Sequence, residues 1–170
     1  MLVVELAALF HDLFDAKYAS VNGSTNLDIP SWLAARDIAE PQASLIVKII
    51  SNVSYSKEIV LLQNGGWTNW HEQCVELHCV MDADKLDALG AFGIFRCAAF
   101  SGSRNIPLYL PEEDELFKNC AVGHFSDKLF RLESMMMTKT GGKVARRRTQ
   151  IMREIIKDIQ SEVDLLDFEE

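Results

Sequence analysis

The chain has 170 residues, a length that favours one hydrophobic core over two. Its hydrophobic fraction of 48% and charged fraction of 25% are ordinary for a globular protein, which excludes a disordered, collagen-like or low-complexity chain. Lysine and arginine number 17 against 25 aspartates and glutamates; the resulting net charge of −8 repels duplex phosphate and anionic lipid, so neither a nucleic-acid polymer nor a membrane is an expected partner.

Met1 to Phe14 is apolar on most sides and predicts a helix, with His11, Asp12 and Asp15 set into or just after it. It lacks a basic n-region and carries charge inside the apolar run, so it does not read as a secretory signal. Residues 18–29 are polar and read as a loop. Gln42 to Val53 predicts a short amphipathic helix after Pro41, and Asn64, Gly65 and Gly66 mark a turn before Trp67 and Trp70. Residues 72–100 predict one long helix. Val75, Leu77, Val80, Met81, Leu86, Leu89, Phe92, Ile94 and Phe95 cover nearly its whole circumference, so it is expected at the centre. Phe117 to Met136 repeats apolar residues at steps of three and four behind the acidic turn of Glu112, Glu113 and Asp114, and Gly141 and Gly142 are expected to end that helix. Val144 to Val163 predicts the terminal helix, with an acidic tail over 163–170 that frays. No segment alternates with period two and no repeat is visible, so an all-α fold of about six helices in a single domain, 1–170, is expected.

No apolar run reaches the roughly 20 residues that span a bilayer. Cys74, Cys79, Cys97 and Cys120 form no C-x-x-C pair and read as reduced, mostly buried thiols, so an intracellular, cytoplasmic location is expected.

A charged side chain in an apolar helix costs several kcal/mol unless it is paired or binds a metal. Two clusters break the apolar pattern in this way: His11, Asp12 and Asp15, and Asp82, Asp84 and Asp87. Asp84 and Asp87 share a helix face, whereas Asp82 lies about 200° from Asp84. One imidazole with two or three carboxylates from two helices makes a nitrogen and oxygen donor set suited to Mn²⁺, Mg²⁺, Fe²⁺ or a similar divalent ion. A Zn²⁺ stripe of Cys74, His78 and Asp82 at i, i+4 and i+8 is a weaker alternative. His71 reads as a loop residue, and His124 as either a packed or a substrate-facing histidine. Met135, Met136 and Met137 read as core filler. No G-x-S-x-G, P-loop or G-x-G-x-x-G is present.

The run HDLFD, followed downstream by DADKLDALGAFGI, resembles the HD-domain metal-dependent phosphohydrolases, whose ligands are a histidine, then a His-Asp pair, then a distant aspartate. GHFSDKLFRLESMMMTKTGGKVARRR is similar to the H-F-x-x-K-L, Met, Thr and Ala-x-x-Arg series of a small soluble branch whose bacterial members of known activity resemble nucleotide pyrophosphohydrolases. The resemblance runs from about Val3 to Glu162, with residues 64–70 looking like an insertion. It implies that His11, Asp12 and Asp84 hold a divalent metal (Mn, Mg or another transition metal) and that Asp15 orients or deprotonates the attacking water. It also implies that Lys85, Asp87, His124, Lys128 and Arg148 meet the substrate, with Arg147 as the alternative to Arg148.

The family's first histidine precedes the His-Asp helix, and none of the ten residues before His11 is a histidine. This implies a form truncated at the amino terminus relative to the family, or a replaced or incomplete ligand set. Self-association or lower stability would follow from an uncovered core. The expected function is metal-dependent hydrolysis of a small phosphorylated substrate, a nucleotide cleaved between its α and β phosphates by a metal-activated water. The alternative is a non-catalytic HD-type protein that binds a nucleotide or a protein partner.

Overall fold

The computed structural model describes residues 1–13 and 28–166. Among them all regular structure is helical, with nine α-helices and no strand: α1 (Leu2–Phe10), α2 (Ile29–Ala34), α3 (Glu40–Asn52), α4 (Tyr55–Gln63), α5 (Asn69–Gln73), α6 (Val75–Asp87), α7 (Gly90–Ser103), α8 (Ala121–Asp127) and α9 (Lys139–Leu166). Two 3₁₀ segments, Phe117–Asn119 and Leu129–Met135, flank α8. The all-α expectation holds. No helix among the described residues is long and apolar enough to cross a membrane. The chain divides into two compact units, Met1–Ala83 and Asp84–Glu170, with the boundary inside α6.

In the first unit α1 and α2 pack on α3. Pro41 lies in the first turn of α3, where its missing N–H is no loss, and Ile46, Ile49 and Ile50 recur at helical spacing on the buried face. Ile46 and Ile49 are wholly buried with Leu33, Ala7 and Leu77, each large aliphatic side chain contributing about 2 kcal/mol of transfer free energy. Phe10 closes the end of α1 edge-on against Trp32, with ring centroids 4.9 Å apart.

The stretch expected to be loop around 64–72 is only partly so. Asn64 to Gly66 is a turn, but His71 lies in α5 and is buried. Its Nδ1 accepts the Thr68 backbone N–H at 3.1 Å and its Nε2 donates to Asn52 Oδ1 at 3.0 Å, while the ring stacks on Trp67 and meets Trp70 edge-on. The imidazole thus pins this segment to the end of α3. Burial, and secondarily the Lys48 ammonium, pushes its pKa below the ordinary value.

In the second unit α7 packs on α9, and α9 on the 3₁₀ segment Leu129–Met135. The single helix expected over 72–100 is broken between α6 and α7, where Gly90 takes φ +84°, a left-handed conformation that helix interiors do not hold. Nor is its second half buried as expected: Phe92 is 81% and Phe95 72% exposed on α7. The helix expected over 117–136 is also broken. Its centre is α8, capped by Cys120, whose sulfur accepts the Gly123 N–H at 3.2 Å. Gly141 and Gly142 do not end that helix; they lie in the first turn of α9, which Thr138 caps through Oγ1 accepting the Gly141 N–H at 2.9 Å. The acidic tail expected from 163 begins inside α9, where Gln160 donates to Asp164 at 3.0 Å one turn on.

Two predictions follow from these contacts. A Cβ at Gly123 would stand 1.8 Å from the Phe117 carbonyl oxygen, a backbone atom that cannot step aside. Gly123→Ala is therefore expected to lower the unfolding free energy by about 2 to 3 kcal/mol in chemical denaturation. Because His71 accepts a hydrogen bond on Nδ1, its folded form is neutral. Its contribution is complete above the ordinary histidine value of about 6.5 and is lost as pH falls below it, since the unfolded chain then takes up a proton that the folded one does not. The destabilisation caused by His71→Gln should accordingly be larger at about pH 7.5 than at about pH 5, read from melting temperatures of the two proteins; a difference constant with pH would exclude this coupling.

Candidate functional site

The helix α1 ends at His11, whose backbone still has right-handed helical angles, with Asp12 next in the turn. His11 Nδ1 donates to the Ala8 carbonyl at 2.7 Å, a bond available because residues three apart share a helix face. That bond fixes the tautomer with the proton on Nδ1 and leaves Nε2 as the basic nitrogen, 3.5 Å from Asp12 Oδ2. A backbone carbonyl accepting from the ring's other N–H is a partner that metal-ligating histidines commonly have, and Asp12 sets a carboxylate next to Nε2. The donor chemistry of this pair therefore fits a divalent cation. Asp15, assigned to the attacking water, lies outside the described residues.

In the second unit Asp84 is half-buried and Lys85 is buried at 4% exposure, on consecutive positions of α6. Asp87, at the end of α6, is exposed and paired with Arg96 of α7. Arg148 of α9 donates from Nη1 to the Leu86 carbonyl at 2.5 Å. His124 and Lys128 are half-buried at α8 and its carboxyl end. Burial and then the Lys128 ammonium lower the His124 pKa, partly offset by Asp127, so this imidazole is neutral near neutral pH.

Among the described residues no group of three or more His, Cys, Asp or Glu side chains is gathered so as to hold a metal ion. His11 and Asp12 meet each other, and Asp87 and Arg148 line one cavity. The Cys74, His78 and Asp82 stripe is not a metal group either: His78 Nε2 donates to the His71 carbonyl at 2.7 Å, and the Cys74 thiol lies 3.9 Å from Glu76.

The cavity, of about 640 Å³, lies between the α6–α7 corner and α9 and is also lined by Phe92, Lys143, Arg147 and Ile151. The sequence pattern gives Phe92 only as a core residue and does not single out Lys143. The available signal was the spacing of Lys143 and Arg147, which are four apart and so share one face of α9.

No family model matches the chain. It is 30% identical over 169 residues to the uncharacterized protein YpgQ of Bacillus subtilis, an alignment spanning 99% of this chain and 76% of the relative. The crystal structure of B. subtilis YpgQ in complex with ADP superposes with a TM-score of 0.74 at 30% identity, covering 95% of this chain and 76% of that one. An HD-superfamily hydrolase from Bacillus thuringiensis does so with a TM-score of 0.69 at 28% identity, covering 95% of this chain and 73% of that one. Similarity along nearly its full length, together with the His-Asp pair at the end of α1, means that this chain belongs to the family of B. subtilis YpgQ, within the HD superfamily.

Proposed function

We propose that this chain is a metal-dependent phosphohydrolase that cleaves a nucleotide between its α and β phosphates. The observation that carries the reading is the His11–Asp12 pair, with the imidazole tautomer set by the Ala8 carbonyl so that Nε2 is the basic nitrogen. Its family membership supports the reaction class, and a relative crystallised with ADP supports a nucleotide as the substrate. On the motif, Asp84 supplies the third donor. A divalent ion bound there would supply Lewis acidity toward a phosphoryl oxygen and lower the pKa of a water.

The chain's own groups would do the rest. Asp15 would hold and deprotonate the attacking water, a role suited to the carboxylate three residues after Asp12 in the sequence. Lys85 and Lys128 would offset the negative charge that builds on the transferring phosphoryl oxygens. His124, being neutral, would meet the substrate as a hydrogen-bond donor and not as a cation.

Two measurements test this reading. Calorimetric titration of the chain with Mn²⁺ is expected to show saturable binding near one ion per chain, lost in Asp84→Ala. Release of pyrophosphate from nucleoside triphosphates is expected to depend on Mn²⁺ or Mg²⁺ and to fall more than about 100-fold in His11→Ala and in Asp84→Ala. Turnover retained in either variant would remove that residue from the mechanism.

A second reading is a nucleotide-binding HD protein without catalysis, in line with a relative crystallised with ADP. It requires that ADP raise the melting temperature at matched metal concentration while no triphosphate is hydrolysed.

A further inference from the structure

The amino-terminal turns of α9 carry charge of the wrong sign. Lys139 stands in the first turn, where the helix dipole is positive and no acidic residue is present, and Lys143, Arg146, Arg147 and Arg148 follow over the next two turns. Two of these cations are accounted for inside the protein. Arg146 lies 3.7 Å from Glu133, and Arg148 donates to the Leu86 carbonyl. Lys143 and Arg147 make no hydrogen bond or ion pair among the described residues, although they stand one turn apart on the same face. Like charges at that spacing repel each other.

Both line the cavity of about 640 Å³, a volume within the usual range for small-molecule sites. The lining carboxylate, Asp87, is already neutralised by Arg96, so the cavity presents net positive charge on a protein of net charge −8. The lining also includes apolar Leu89, Val144 and Ile151, and the Phe92 ring is 81% exposed.

We infer that this cavity is a binding site for a nucleoside diphosphate or triphosphate, with Lys143 and Arg147 gripping the phosphates and Phe92 offering its face to the base. The inference deepens the nucleotide reading above and rests on it for the class of ligand. Two cations one helical turn apart match the charge of adjacent phosphates, and an exposed aromatic ring beside them is a stacking surface for a planar base. Arg148 then has a different task from the one its motif implies: it is a positioning residue. Its stem lies against Gly90, where a Cβ would meet Arg148 carbons at 3.0 to 3.3 Å, and its guanidinium holds the end of α6, so it shapes the cavity wall.

The test is calorimetry of the full chain with ADP, pyrophosphate and adenosine as separate probes, in chelator, so that no metal contributes. Wild-type protein is expected to bind ADP and pyrophosphate, with affinity falling as salt rises. Lys143→Gln combined with Arg147→Gln should weaken ADP at least 10-fold and abolish pyrophosphate binding. Arg147→Lys should recover part of the loss. Phe92→Ala should weaken ADP and adenosine while leaving pyrophosphate unchanged. The substituted side chains are exposed, and an unchanged melting temperature verifies that the variants fold. ADP binding equal to wild type in the double glutamine variant, or no binding of either anion by the wild type, overturns the site. His11→Ala separates the two readings: turnover retained in it removes His11 from the catalytic proposal while loss of ADP binding in the double glutamine variant still upholds this site, and triphosphate turnover unaffected by the double glutamine variant overturns this site alone.

Discussion

The hydrogen bond from Arg148 to the Leu86 carbonyl governs the second unit. The last carbonyls of any α-helix lack partners within the helix, and a guanidinium satisfies one of them while adding a cation at the negative end of the dipole. That bond lays the arginine stem against the backbone at Gly90, where a Cβ would meet its carbons at 3.0 to 3.3 Å. Four residues on, Met152 meets the same corner, its sulfur 3.0 Å from the Gly90 N–H. The α6–α7 corner and the stretch of α9 that lines the cavity meet at these contacts. A residue that a motif alone would send to the substrate is thus tied to the scaffold.

The first unit is organised by imidazoles in the same sense. His11 and His78 each donate to a backbone carbonyl near a helix end, and His71 bridges Thr68 and Asn52. Each bond selects a tautomer. For His71 and His78 the bonds knit α5 to its neighbours; for His11 the bond leaves a basic nitrogen beside Asp12. Donation to a backbone carbonyl thus serves packing for His78, while for His11 it sets Nε2 beside a carboxylate, the feature on which its proposed metal role rests.

Much of this was legible in the sequence, for definite reasons. Helical periodicity marked α3, α6 and α9, where Ile46, Ile49 and Ile50, or Ile151, Met152 and Ile155, repeat at the spacing of a helix face, and HDLFD marked the end of α1. The breaks were not legible. Nothing in DKLDALGAFG says that Gly90 adopts positive φ or that the stem of Arg148, 58 positions further on, lies against it. The interruption of the helix expected over 117–136 likewise depends on a carbonyl, that of Phe117, approaching Gly123. Phe92 and Phe95 were read as core because periodicity reports apolar character and not which elements arrive to cover it. His71 was read as loop because its partners, Asn52 and Trp67, come together only in three dimensions.

The thiols follow from the same packing and carry information of another kind. All four cysteines are free; burial pushes the Cys74 and Cys97 thiols above their ordinary value, and Cys120 is 1% exposed with its sulfur held against the start of α8. A thiol kept protonated and shielded reacts with an alkylating reagent only when the segment around it opens. Cys74 belongs to the first unit and Cys120 to the second. The native chain thus carries an internal clock in each unit, and the ratio of the two labelling rates reports whether the units breathe as one cooperative body or open separately.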